Sequence, residues 1–379
     1  MINTQANTPF LHPAPTRYSP PYLLFLDFYI LISNLSSLPS IVLPWRTPNP
    51  RAELYPYSVG NITSIVLGII LNLVGLLSFL LIPGWLFLPG GVWLCWLVGV
   101  TAVTLALSFM LNGQAGDVVV SNGKYVRGEG EKEDEKWFYV NGVVTGGFWL
   151  GSNVEEVERR FGRRVWGVHN RSYGLVLDLL QCLIQRDLRY SSTCVRALYR
   201  NLRAALLEFE SAPSSSASSS SSPIPASRPR HKKVVLIAHS QGALITSLVL
   251  DMLYADIPTS LLSRLEVYTF GNASNTFNNP LYRHDDTGSG VLRHLEHYAN
   301  RGEYVSRVGI LGFMTGGDVA EVADGWGNQF AGRVLVREGR GHLFVQHYLD
   351  VLFQGGFVEA GSGRGVGRLL GYKDGRAVE

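Results

Sequence analysis

The chain has 379 residues, 46% of them hydrophobic, and a formal net charge of +3. That length holds one large or two ordinary domains with a sizeable core. The small charge and the scatter of basic residues, apart from the run Arg228 to Lys233, exclude a nucleic-acid footprint. Three cysteines, Cys95, Cys182 and Cys194, give neither a disulfide framework nor a metal-ligand spacing, so no metal and no cofactor are expected.

In chain order, residues 1–20 are rich in Pro, Thr and Asn and read as disordered. Tyr22 to Trp45 is apolar but interrupted by Asp27, which suits the membrane interface better than a signal peptide. Residues 1–58 therefore read as a disordered to interfacial N-terminal segment. From Leu54 to Gly116 there is no Asp, Glu, Lys or Arg. Within it, a hairpin over 59–112 contains two apolar runs, 61–82 and 91–111, each long enough to span a bilayer. Pro83-Gly84 and Pro89-Gly90-Gly91 break the stretch between them, and Trp85, Trp93 and Trp96 suit an interfacial aromatic belt. Basic residues flank the spans, Arg46 and Arg51 before and Lys124 and Arg127 after, so both ends and the following domain are expected in the cytosol. A buried helical hairpin in a globular protein is the alternative, but a stretch with no charge leaves it no solvated face.

Residues 117–354 alternate strand and helix patterns, the signature of a mostly parallel sheet with helices on both faces. Strand character at Asp117 to Val126 and Trp137 to Val140 precedes a helix over Leu150 to Phe161, with Asn153 as its expected cap. A strand at Arg164 to His169 and helices at Leu175 to Gln185 and Thr193 to Phe209 follow. Residues 211–230, with ten serines and four prolines, read as a disordered insertion. The pattern resumes with strand Val234 to Ala238, helix Gln241 to Ala255, strands Leu265 to Phe270, Val291 to Ala299 and Arg333 to Arg337, and helix Leu343 to Phe353. Glycine-rich residues 355–379 read as a flexible tail.

The apolar strand ending at Ala238-His239-Ser240-Gln241-Gly242 carries the chemistry. A serine at the tip of a tight strand-to-helix turn projects free of the sheet, and the residues two before and two after it must be small because the backbones nearly touch. Ala238 and Gly242 meet that demand. The turn leaves the N–H of Gln241 aimed at an oxyanion forming beside Ser240, half of an oxyanion hole.

Residues 137–354 resemble the serine-esterase, lipase-like branch of the α/β-hydrolase superfamily, and more narrowly a group of uncharacterised fungal membrane-anchored proteins. The resemblance is carried by Phe138-Tyr139-Val140-Asn141-Gly142, Gly167-Val168-His169-Asn170, Ala238 to Gly242, Val267 to Ala273, His297-Tyr298-Ala299-Asn300, and Gly341-His342-Leu343 ahead of Gln346 to Asp350. It implies an α/β-hydrolase-like fold and a triad in the order serine, acid, histidine. His342, in a glycine-rich loop after the last strand of the pattern, is the expected base, with His347 as its rival. Glu303 after the strand Val291 to Ala299 is the expected acid, and Asp318 and Asp324 are alternatives. Gly142 or Val143 would supply the second oxyanion donor, and His239 is expected to pack beneath the serine. The implied protein is an integral membrane serine hydrolase whose partners are the lipid bilayer and a lipid-like ester, with no nucleic acid and no inference on oligomeric state. An acyltransferase with the same triad, or a catalytically silent scaffold on the same fold, stays open.

Overall fold

The computed structural model describes residues 19–114, 116–127, 135–208, 233–281, 290–314, 330–360, 365 and 367–378. The serine-rich insertion, Asp318 and Asp324 lie outside the described residues.

Helix α1 (Pro20–Ser33) starts on two prolines, which suit the first helical turn because its N–H groups lack partners anyway. A 3₁₀ helix (Leu35–Ile41) follows at a bend of 74°. Helices α2 (Val59–Leu80) and α3 (Gly90–Asn112) form the apolar hairpin, with mean hydropathies of 2.3 and 2.2, and both are long and apolar enough to cross a membrane. Ser58 caps α2 by accepting the N–H of Asn61.

The remainder is a mixed α/β domain. Its strands are β1 (Val118–Val120), β2 (Glu135–Val140), β3 (Val165–Val168), β4 (Lys233–His239), β5 (Leu265–Phe270), β6 (His294–Asn300), β7 (Arg333–Arg337) and β8 (Val358–Glu359). They make one 8-stranded sheet in the order β1-β3-β2-β4-β5-β6-β7-β8, parallel except for β1 and β8 at the two edges. The central strands are apolar on both faces because both are covered. Phe138, Val140, Leu236 and Ala238 pack with α6 (Thr193–Leu207) and α7 (Gln241–Asp256). Trp137, Tyr139, Val235 and Ile237 pack with α4 (Gly147–Phe161) and the C-terminal elements. On α4 the stripe Leu150, Val154, Val157, Phe161 is fully buried, each side chain contributing about 1.5–3 kcal/mol before entropy is counted. Gly162, in the left-handed region at φ 64°, ends that helix.

Two expectations need correction. Asn153 is not a cap: α4 begins at Gly147, and Asn153 is buried inside it, donating to the Tyr139 hydroxyl at 3.1 Å. The described part of the N-terminal segment, residues 19–58, packs against the α/β domain: Leu26 and Ile30 of α1 join Tyr304, Val308 and Phe313 in one buried cluster, and polar contacts add to it. Asp27 pairs with Arg186 at 2.8 Å, Asn34 Oδ1 accepts from Arg307 at 2.9 Å, and Ser40 Oγ accepts the N–H of Tyr304 at 3.1 Å. The C-terminal residues are no loose tail either, since β8 pairs with β7 and a 3₁₀ helix (Arg368–Gly375) buries Leu369 and Tyr372 in the core. Two further elements differ in detail: residues Phe344–Leu349 form a π-helix before α11 (Asp350–Phe353), and β6 starts at His294, leaving Val291 and Leu292 buried just outside it.

Tyr372 explains the ordered C-terminus. Its ring meets Trp137 edge-on at 5.1 Å, and its hydroxyl donates to Glu266 Oε2 at 2.7 Å. Tyr372→Ala is expected to lower the stability of the detergent-solubilised protein by ~3 kcal/mol in urea unfolding. An unchanged transition would mean the C-terminal segment contributes nothing to the fold.

Candidate active site

In a parallel sheet the loops at the carboxyl ends of the strands gather on one edge, where ligands bind. Here that edge carries Asn141 to Val144 after β2, His169-Asn170 after β3, Ser240 after β4, Gly271 after β5, Glu303 after β6 and His342 after β7.

Ser240 sits at φ 58°, ψ −122°, a conformation unusual for a residue with a side chain, costing about 1–3 kcal/mol. It is held by its surroundings. Its N–H bonds to the Phe270 carbonyl at 2.9 Å, and its own carbonyl accepts from Ala243 at 3.0 Å. A Cβ on Gly242 would strike the Val140 carbonyl, and a Cβ on Gly142 would lie 2.5 Å from the Ser240 Cβ and 2.9 Å from its Oγ. Both glycines are therefore required by close approach. Gln241 opens α7, so its N–H has no partner within the helix.

The loop after β2 is pinned by groups that sequence reasoning missed. Asn141 and Asn170 exchange side-chain to backbone bonds at 2.8 Å each. Asn170 also donates to Gln241 Oε1 at 2.6 Å, and Gln241 Nε2 donates to Gln185 at 2.8 Å. Val144, at φ 56°, directs its N–H to Asp178 Oδ2 at 3.0 Å. Thus the Gln241 side chain is occupied by its neighbours, while Gly142 and Val143 stay between two anchored points beside Ser240. Asn141 and Asn170 stand in the sequence only as parts of the matched segments, so neither signals this frame.

Glu303 is fully buried and caps α9 (Tyr304–Val308), its carboxylate accepting the N–H groups of Val305 and, at 2.7 Å, Ser306. Its Oε1 lies 3.2 Å from His342 Nδ1, at an angle too oblique for a well-formed hydrogen bond. Burial alone would raise the Glu303 carboxyl, but His342 and the two backbone N–H groups outweigh it and hold the carboxyl below its ordinary range. The group is thus a carboxylate at neutral pH. Tyr348 adds a hydroxyl 3.3 Å from Oε2.

His342 is fixed on three sides. Its ring lies 4.7 Å from that of His239, tilted by 34°, and His239 Nε2 is 2.7 Å from the His342 carbonyl and therefore carries the proton. Burial, reinforced by the neighbouring His342, drives His239 far below its ordinary range, so it stays neutral. A Cβ on Gly271, itself at φ 55°, would come within 2.8 Å of His342 Nδ1, so only glycine leaves room for the imidazole. Among the described residues His342 Nε2 makes no hydrogen bond, to Ser240 or to any other group.

His347, by contrast, has both nitrogens engaged: Nδ1 accepts the N–H of Leu343 at 3.0 Å, and Nε2 is 2.8 Å from the Pro44 carbonyl. Burial lowers it to about 4 despite that carbonyl. The structure brings Glu303 to His342 and uses His347 to fasten chain segments. Among the described residues no group of three or more His, Cys, Asp or Glu side chains could hold a metal ion.

A strap from the N-terminal segment covers this edge. Ile41 accepts the N–H of His342 at 2.9 Å, Pro44 accepts from Gln346 at 3.0 Å and faces His347, and Glu53 Oε1 accepts the N–H of Val345 at 3.0 Å. Ser240 and His342 are 3% and 5% exposed, so the site is closed to solvent.

No protein-family model, no curated protein and no solved structure matches the chain. What the site does follows from its own chemistry.

The strap also carries a titrating group. Burial pushes Glu53 from the ordinary 4.5 up to about 7, only partly offset by the backbone N–H groups around it. Its folded form therefore holds a proton that the unfolded chain has lost, and the stability this gives is complete below pH 4.5 and disappears as pH rises through about 7. Relative to wild type, Glu53→Gln is expected to gain stability steadily between pH 5 and pH 8 in thermal unfolding. Parallel pH profiles for the two proteins would show that Glu53 is ionised in the fold.

Proposed function

We propose that this chain is a membrane-anchored serine hydrolase of the α/β-hydrolase type that cleaves an ester of a lipid-like substrate. The observation that carries the reading is the strained Ser240 on the same sheet edge as an imidazole, His342, whose Nδ1 meets the buried carboxylate of Glu303. The chain order serine, acid, histidine is the one this fold uses.

On this reading the Ser240 hydroxyl attacks the ester carbonyl while His342 Nε2 takes its proton, once substrate binding brings the two within hydrogen-bond reach. Glu303 holds the imidazole with its proton on Nδ1 and stabilises the imidazolium that forms. The tetrahedral oxyanion is held by the N–H of Gln241 and by that of Gly142 or Val143. His342 then gives the proton to the departing alcohol, leaving Ser240 acylated. Water, deprotonated by the same imidazole, attacks the acyl-enzyme; the acyl–Oγ bond then breaks as His342 returns the proton to Ser240, and the carboxylic acid leaves. An alcohol in place of that water would make the chain an acyltransferase without any change of residue.

The lipid-like substrate is argued from the anchor. An enzyme tethered by α2 and α3 meets acyl chains at high local concentration, and the loop carrying Gly142 approaches the hairpin: a Cβ on Gly68 of α2 would lie 3.9 Å from Val144. The flanking basic residues Arg46, Arg51, Lys124 and Arg127 favour the cytosolic side for the α/β domain.

Labelling by a fluorophosphonate probe tests the chemistry. Wild type is expected to label, Ser240→Ala and His342→Ala to lose at least ~1000-fold in rate, and His347→Ala to keep its labelling. A folded wild type that does not label would favour a silent scaffold that binds lipid or a partner. For the anchor, alkaline carbonate is expected to leave the protein in the membrane pellet, and release into the supernatant would remove the tether from the account.

A further inference from the structure

Two helices of the α/β assembly have their polarity turned inside out. On α5 (Leu175–Leu188) every charged residue is buried, namely Asp178, Arg186 and Asp187, while the exposed positions are Leu175, Leu177, Leu179, Leu180 and Leu188. On α1 the single charge, Asp27, is 1% exposed, and Phe25, Phe28 and Ile32 face outward at 68%, 49% and 64%. A helix on a water-facing surface shows the reverse arrangement, apolar stripe inward and charges outward. Charges that point to the protein interior and pair there, as Asp27 and Arg186 do at 2.8 Å, are what a hydrocarbon surrounding demands.

The docking of the hairpin says what that surrounding is. Helix α2 presents a stripe of small and polar residues to the domain: Asn61, Ser64, Gly68 and Leu71 are its buried positions. Further along, Asn72 Oδ1 accepts the N–H of Leu175 at 2.8 Å, and a Cβ on Gly75 would lie 3.5 Å from Val176. At 1.5 Å per residue, Asn61 to Gly75 is about 21 Å of helix, against a hydrocarbon core of about 30 Å. If α2 crosses the bilayer, the first turn of α5 therefore lies past its mid-depth. If instead the membrane began only after Gly75, Leu76 to Leu80 would leave about 8 Å of α2 for the crossing, too little to span. Helix α5 touches both α2 and α1, so the three outward faces form one continuous apolar surface.

We propose that α1 and α5 are sunk into the bilayer beside the hairpin, their outer faces packed against lipid acyl chains, so that the α/β domain is embedded in the membrane rather than tethered above it. The proposal rests on the hairpin being in the bilayer but not on the hydrolase chemistry. With both in place, the substrate reaches the closed site from within the membrane, since Asp178 at the first turn of α5 holds the Val144 N–H of the loop beside Ser240.

Photo-crosslinking of the full chain in phosphatidylcholine vesicles with a radiolabelled acyl chain tests it. A benzophenone amino acid is placed singly at Phe25 and Phe28 on α1, at Leu177 and Leu180 on α5, at Leu94 on α3 as the hairpin reference, and at Val358 on the far edge strand. All these side chains are exposed, so the substitutions leave the core intact. Lipid adducts are expected at the α1 and α5 positions in yields close to that at Leu94 and at least ~10-fold above Val358. Adducts at Leu94 alone, or crosslinks from Leu177 and Leu180 to a second copy of the chain, would overturn the embedding while leaving the anchor. No lipid adduct at Leu94 would overturn the anchor and the embedding together, and labelling of Ser240 by the fluorophosphonate probe would still report separately on the chemistry.

Discussion

The arrangement depends on how closely three pieces of backbone approach at Ser240. The turn between β4 and α7 lies against the loop after β2, and on each side of that contact a glycine stands where no side chain fits, Gly142 and Gly242; Gly271, after β5, leaves room for the His342 ring. Because β2, β4 and β5 are adjacent and parallel, their ends arrive at the same level, and the sheet registers transmit that alignment to the loops. The backbone strain at Ser240 persists because packing over-determines it. Its N–H is spent on Phe270 rather than on a helix partner, which ties the proposed nucleophile to the strand whose next residue makes room for His342.

The polar frame around this contact is satisfied by amides and backbone groups more than by charges. Asn141, Asn170, Gln241 and Gln185 form a chain of direct bonds, and Asp178 gathers the N–H groups of Val144 and Tyr173 and the Ser172 hydroxyl. Such a network holds loop geometry without placing a second mobile charge near the site. Glu303 is the carboxylate beside the proposed base, and its charge is divided among two backbone N–H groups and His342. A glutamate rather than an aspartate fits here because the carboxylate must cap α9 and still meet the imidazole, and the extra methylene gives it that reach.

Local patterns in the sequence were informative where the physics is local. The apolar run Val234 to Ala238, the small residues flanking Ser240 and the stripe on α4 each follow from burial over a few residues, and the hairpin follows from length and hydropathy alone. The proposed acid and base positions came only from the order of segments in the resemblance, and Glu303 against Asp318 or Asp324 could not be decided from loop composition. What was not legible has no period. The strap lies across the sheet edge through isolated carbonyls such as those of Ile41 and Pro44, and the C-terminal residues fold back through Leu369 and Tyr372 amid glycines. The inverted polarity of α5 was invisible for a different reason: a helical period tells which residues share a face, but not which face meets the protein.

That inversion is connected to the site. The Asp27–Arg186 charge pair fills the seam between α1 and α5. Arg186 goes on to donate to the carbonyls of Val308, at 2.7 Å, and Ala273, at 3.1 Å. Val308 belongs to the helix that Glu303 caps, and the Ala273 N–H approaches the Ser240 carbonyl at 3.4 Å. One guanidinium thus joins the outer helices to the loops that carry both the proposed acid and the proposed nucleophile. Removing either member of a buried pair leaves an uncompensated charge, at a cost of about 3–5 kcal/mol. The surface that turns its leucines outward is therefore held by the same contacts that order the site, and neither can be loosened without disturbing the other.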